Sequence, residues 1–355
     1  MSEKLRILLT SCGSPPSQNI LQSLRKAPMD FYIIGCDASL YHLEWGDFDK
    51  TYEAPMNDDA GFLDWLADLC RKERIDFLHP QSDRDVALLG EHRARLGVHM
   101  SLPAQQMVRD AQYKPKSASI WQNRGMRRDA PKMLILPDDI AEAVRRFGFP
   151  FWMRAAKGAG ATGSCKAGST LEAFAWMTYW NTTRPGNTTF AQEYLPGRNF
   201  AFHSVWYQGR LICSGVRERL EFVYPQHAPS GVTSSPVVAR TVHNEAVNEM
   251  AVSAIQALDP KPHGVHSMDL QCDVNGVPRP TELNAGRFFN TSYYFTAAGA
   301  NMPYIHIALA LGLPFEEIPQ FNAVPAGMYW LRHIDSGRVL VKEGDWRGVP
   351  LERKA

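Results

Sequence analysis

Val265-His266-Ser267-Met268-Asp269-Leu270-Gln271-Cys272, then the turn Asp273-Val274-Asn275-Gly276, then Val277 to Leu283 running on into Asn284-Ala285-Gly286-Arg287: this stretch decides the fold. Two apolar-rich runs around Asn-Gly predict a β-hairpin. Side chains alternate along a strand, so Glu282 and Asn284 share one face. Asp269, 13 residues back on the partner strand, can face them. Two carboxylates and an amide oxygen form a hard-oxygen set suited to Mg²⁺, an ion usually shared with nucleotide phosphates. A solvated polar sheet face is the plainer alternative. Met268, Leu270 and Leu283 argue for a packed sheet, whose acids need partners.

Upstream, Phe149 to Arg154 reads as a strand. It leads into Ala155-Ala156-Lys157-Gly158-Ala159-Gly160-Ala161-Thr162-Gly163-Ser164-Cys165-Lys166. Gly158, Gly160 and Gly163 let backbone fold over phosphate oxygens, and Arg154, Lys157 and Lys166 compensate their charge. No Lys-Ser/Thr pair follows the last glycine, so this is not the G-x-x-x-x-G-K-[ST] loop. An ordinary hairpin turn stays open as an alternative. A helix over Leu171 to Trp180 carries Leu171, Phe174, Ala175 and Met177 or Thr178 at core spacing. Thr189 to Tyr194 is a strand, and Phe200 to Tyr207 with Arg210 to Arg217 a hairpin about Gln208-Gly209. Glu245 to Leu258 is a helix.

The first third reads as βαβ: strand Leu5 to Thr10, a small-residue loop Ser11 to Pro16, helix Asn19 to Lys26, and strand Phe31 to Cys36 closing on Asp37. A third strand lies at Ile75 to Pro80, so Gln81 to Asp83 sit at a strand's carboxyl end, where such sheets place ligands. Dinucleotide binding is disfavoured, because the loop has one glycine and two prolines instead of G-x-G-x-x-G.

The chain has 355 residues, 38 Lys+Arg against 37 Asp+Glu, and a net charge of +1. That length buries about three-quarters of the unfolded surface and exceeds one ordinary domain. Near-zero charge argues against nucleic acid or a membrane surface as partner, and no apolar run approaches a membrane span. The six cysteines include no C-x-x-C pair and read as reduced, buried packing. The expected location is cytoplasmic. His263 and His266 form H-x-x-H without a helix to converge them, so a structural or substrate-facing role is favoured over zinc.

A glycine loop followed by an E-x-N strand, behind a Rossmann-like domain, resembles the ATP-grasp superfamily, and within it the carboxylate–amine ligases and carbamoyl-phosphate-synthase-like members. The resemblance covers roughly residues 5 to 310. It implies an α/β fold: a Rossmann-like domain over 1–105, then two α+β halves, a small one over 106–190 with the glycine lid and a large one over 191–355 with the metal site. It implies that Lys114, with Lys116 as rival, and Arg154 contact phosphate beneath the Gly158, Gly160 and Gly163 lid, with Lys157 beside them. Gln192-Glu193-Tyr194-Leu195 would hold adenine, and Asn199 stands near the place of the ribose-binding acid. His203 stands where an acidic residue is common. Arg217 matches the arginine that meets the transferred phosphate or acyl phosphate. Asp269, Glu282 and Asn284 match magnesium ligands. Arg287 falls one residue later than in the family's E-x-N-x-R pattern. The implied activity is ligation: ATP and two Mg²⁺ activate a small-molecule carboxylate as an acyl phosphate, an amine takes it, and ADP and phosphate leave. A homodimer is compatible with this. An ATP-grasp kinase and a non-catalytic ATP-binding regulator are the alternatives.

Overall fold

The structure is a computed structural model describing residues 4–158, 161, 163–184, 186–232, 236–333 and 337–344. Its first sheet is parallel: β1 (Leu5–Thr10), β2 (Phe31–Asp37), β3 (Lys50–Glu53) and β4 (Phe77–His79), in the order β3-β2-β1-β4. Its strands are apolar on both faces because both are covered. Leu8, Ile34 and Leu78 pack on helix Phe62–Lys72, while Ile7, Leu9 and Phe77 join residues from the last third of the chain.

The first helix starts earlier than the sequence suggests, at Pro15 rather than Asn19. Proline costs nothing at a helix's first positions, whose N–H groups have no intrahelical partner. Ser14 caps it by accepting from the Ser17 N–H. The prolines therefore begin a helix where they were read as loop.

The second sheet is antiparallel and small: β5 (Lys132–Leu134), β6 (Phe151–Ala155), β7 (Cys165–Ala167) and β8 (Thr189–Glu193), ordered β5-β8-β6-β7. Helices Pro137–Phe147 and Thr170–Thr183 cover one face through Ile140, Ala143, Ala173 and Met177. Leu171 and Phe174, read as core from spacing, are exposed; Ala173, Met177 and Trp180 form the buried stripe. In a helix apolar nearly all round, spacing alone does not choose the face.

The third sheet has seven antiparallel strands: β9 (Asn199–Tyr207), β10 (Arg210–Phe222), β11 (Pro236–Val242), β12 (Gly264–Cys272), β13 (Pro278–Ala285), β14 (Met328–His333) and β15 (Gly337–Lys342). Their order is β13-β12-β9-β10-β11-β14-β15. One face, with Phe200, Phe202, Val216, Met268, Leu270 and Leu283, packs on helices Gln105–Gln112, Lys114–Asn123 and Glu245–Leu258. Trp121 anchors there, donating to the Ala254 carbonyl at 3.0 Å. The other face is divided. At one end Val205, Cys213 and Val265 lie under helices Ser292–Ala297 and Met302–Leu311. At the other end the same face is polar and opens on the small sheet.

Candidate functional site

A cleft of about 460 Å³ lies between the small and large sheets, and Pro15 and Pro16 from the first domain reach it. That size suits a small-molecule site. Its floor is the polar end of the large sheet. Asp269 pairs directly with Glu282 across β12 and β13, and Ser267 with Asn284. Cross-strand partners share a face, so Asp269, Glu282 and Asn284 come together as the hairpin predicts.

Each of the three is held by cations. Glu282 forms an ion pair with Arg154 from β6 and lies 3.6 Å from Lys114 Nζ. Burial works to raise the Glu282 carboxyl, but Lys114 and Arg154 outweigh it and hold it down to about 2. Asp269 accepts from Arg219 at 2.5 Å. Asn284 Oδ1 accepts from Arg287 at 2.5 Å, and Arg287 also pairs with Asp83 of the first domain. Arg287 thus reaches the floor despite its extra residue. Gly286 makes the turn with φ +84°, and a Cβ there would come within 2.7 Å of Val86.

Lys114 is buried and donates to the Gly158 carbonyl, whereas Lys116 is exposed. Burial pushes the Lys114 ammonium down, partly opposed by Glu282. Of the lid residues, Lys157 and Gly158 are exposed, and Gly160 lies outside the described residues. Gly163 is a packing position, where a Cβ would come within 2.8 Å of Trp180.

The linker Gln192, Glu193, Tyr194 and Leu195 lines the cleft. Trp152, missed by sequence reasoning, stacks on Tyr194 with centroids 6.3 Å apart. The signal was available: Trp152 stands two residues before Arg154 and shares its face. Arg127, also missed, is buried behind the linker. Its guanidinium donates to the Pro280 carbonyl at 2.9 Å, and burial lowers it to about 10 against the pull of Glu193. Asn199 bridges Arg219 at 2.8 Å and Gln271 at 2.5 Å.

Arg217 and His203 share the floor. The Arg217 Nε donates to His203 Nε2 at 3.1 Å, which makes Nε2 the acceptor, so the neutral imidazole carries its proton on Nδ1, facing Ser267 Oγ at 2.9 Å. Burial, then Arg217 and Arg219, push His203 well below its usual range. Burial, with Arg219 adding repulsion, also lowers Arg217.

The donor chemistry fits Mg²⁺: two carboxylates and one amide oxygen, all hard ligands. Among the described residues no three His, Cys, Asp or Glu side chains gather for a metal. Asp269, Glu282 and Asn284 would therefore hold an ion only together with further oxygens, such as those of phosphates. In the first domain, Asp37 accepts from the Gly13 and Ser39 N–H groups at 3.1 and 3.0 Å and sits 3.0 Å from the His42 ring. These contacts are structural in kind.

A parallel sheet followed by a small and a large antiparallel sheet closing on one cleft defines the ATP-grasp fold, and the chain has it. Residues 7–101 match the family described as PylC-like, N-terminal domain. No match to a curated protein was found. Solved structures are similar over nearly the whole chain. The L-amino acid ligase of Bacillus licheniformis has TM-score 0.68 at 13% identity, covering 93% of this chain and 79% of that one. Biotin carboxylase of Campylobacter jejuni, in a β-γ-ATP complex, has TM-score 0.69 at 14% identity, covering 92% and 75%. N5-carboxyaminoimidazole synthase of Aspergillus clavatus, with ADP and 5-aminoimidazole ribonucleotide, has TM-score 0.66 at 15% identity, covering 92% and 82%. No helix among the described residues is long and apolar enough to cross a membrane.

Proposed function

We propose that this chain is an ATP-dependent ligase that activates a carboxylate as an acyl phosphate for attack by an amine. One observation carries the reading. Glu282 is the cross-strand partner of Asp269 and is gripped by Lys114 and Arg154 from across the cleft. Metal ligands and phosphate-binding cations thus occupy one small volume. The fold neighbours support it, since solved relatives of this fold hold ADP or an ATP analogue. The division at residues 105 and 190 belongs to the same proposal.

Phosphoryl transfer asks for positioning and charge neutralisation rather than a protein nucleophile. Lys114 and Arg154 would exchange the Glu282 carboxylate for phosphate oxygens, freeing it and Asp269 for the ions. Asp269, Glu282 and Asn284 would hold two Mg²⁺ ions, which would supply neutralisation of the phosphate charge. The Gln192–Leu195 backbone holds adenine, with Trp152 fixing Tyr194. Arg217 orients the substrate carboxylate, and Phe289 beneath it helps keep water from the acyl phosphate.

The test is ADP release with Mg²⁺ across a matrix of carboxylic acids and amines, with mass spectrometry of the products. An amide mass that needs both partners supports the ligase. A phosphorylated product formed without amine replaces it by a kinase, and nucleotide binding without turnover by a regulator.

A further inference from the structure

Arg217 is 1% exposed, yet among the described residues no carboxylate hydrogen-bonds to it; the nearby Asp269 pairs with Arg219 instead. Its one hydrogen-bond partner among the described residues is His203, and its guanidinium nitrogen Nη1 is buried without one. His203 is not placed to supply a compensating charge. Its Nε2 accepts from Arg217, its Nδ1 faces Ser267 Oγ, and Phe289 and Phe295 pack against the ring. A buried guanidinium that shares its nearest carboxylate with Arg219 is under-compensated, so further balancing charge is expected to arrive with a ligand.

The carboxylates around the cleft are already committed. Asp269 serves Arg219, Glu282 serves Lys114 and Arg154, and Asp83 serves Arg287. Glu193 lies on the linker, near Arg127. Arg219 and Asp269, paired with each other, lie near Arg217, the Phe289 ring lies 5.5 Å from its guanidinium carbon, and Phe222, Pro15 and Pro16 share the cleft wall. An anion is welcome there. A cation next to that anion is not, because it would sit against Arg217 and Arg219, and the acid beside them, Asp269, is already paired with Arg219.

We propose, resting on the ligase reading above, that the acid this cleft takes has no ammonium group beside its carboxylate: a 2-hydroxy, 2-oxo or N-acylated acid rather than a free amino acid. His203 is the specificity-determining residue. A neutral acceptor at this position fixes the Arg217 guanidinium without cancelling its charge, whereas a carboxylate there would cancel it.

The test compares matched acids: alanine against lactate and N-acetylalanine, phenylalanine against 3-phenyllactate and N-acetylphenylalanine. Each is measured for binding by thermal shift with MgADP present, and for ADP release with MgATP and an amine panel. The ammonium-free acids are expected to bind at least tenfold more tightly than their amino acids. That ratio should survive His203→Asn, fall towards one in His203→Asp, and vanish with binding itself in Arg217→Gln. Free amino acids binding as well as their partners, or no acid of either kind binding the unaltered protein, overturns the proposal. Selective binding without any ADP release leaves it standing and breaks the ligase reading instead. If the His203 variants do not fold, the ratio in the unaltered protein decides.

Discussion

The two faces of the large sheet are built from the same strands, one residue out of step. Phe200, Phe202, Met268, Leu270 and Leu283 face the helices, while Asn199, Asp269, Glu282 and Asn284 face the cleft, with His203 on the same face buried against Phe289. On the apolar face, each side chain is satisfied by volume alone and its neighbours are interchangeable in kind. On the polar face, each side chain is satisfied by a particular partner, and most of those partners come from other parts of the chain: Arg154 from β6, Lys114 from a helix, Asp83 from the first domain. On the proposed function, stability is concentrated on one face and chemistry on the other, so the largest effects of substitutions should separate between them.

Phe202→Ala should give the largest effect. The residue is fully buried in the face against helix Glu245–Leu258, and such a truncation costs about 3–5 kcal/mol. Urea denaturation should show that loss, while the nucleotide KM of the remaining folded protein stays within about twofold. A large KM change would mean that the two faces are coupled. Glu282→Gln tests the other face. Loss of one preorganised charge at a reacting phosphate costs about 10²–10³ in kcat, and circular dichroism should stay native. Normal ADP release would remove Glu282 from the metal site.

The two faces also differ in how far the sequence discloses them. The hairpin from Val265 to Ala285 was legible because its alternation, its Asn-Gly turn and its three oxygen-bearing side chains all agree. Lys114 was legible only through the resemblance and Arg154 only as a cation beside the glycine loop, because nothing local says that they meet Glu282. Arg127 and Trp152 were missed, since a lone arginine in Met126-Arg127-Arg128 and a tryptophan before a methionine look like surface and core. The extent of the first helix was misjudged because Pro15 and Pro16 fit a loop and a helix start equally well. The buried face of Thr170–Thr183 was misjudged because Leu171, Phe174, Met177 and Trp180 are all apolar, and only the docked sheet selects among them. What is set by contacts distant in sequence does not show in local pattern.

Lys114 and Lys116 sharpen the comparison within one turn of helix. Lys114 points inward to Glu282 and Gly158, and Lys116 outward. Lys114→Ala should weaken MgATP binding by about tenfold or more, the worth of one charge-assisted hydrogen bond. Lys116→Ala should change it by less than about twofold. Equal effects from both, measured by isothermal titration calorimetry, would place the phosphate elsewhere.

The smallest expected effect is a difference in slope. The folded Glu282 carboxyl is held at about 2 against an ordinary value of 4.5. A group lowered on folding contributes stability that is fully present above its unfolded value and is lost as pH falls through its folded one. Its contribution should therefore stand at pH 5 and above and fade between about 4.5 and 2. Glu282→Gln lacks that contribution at every pH and leaves Lys114 and Arg154 to repel each other. It should be less stable than the unaltered protein at pH 7, by on the order of 1 kcal/mol, and the gap should close as pH falls. Urea midpoints at pH 7, 4 and 3 measure this directly. Parallel loss of stability in the two proteins would show that the cations do not stabilise the Glu282 carboxylate. Convergence would show that the polar face carries a small share of stability of its own, held in the contacts that the proposed nucleotide would exchange.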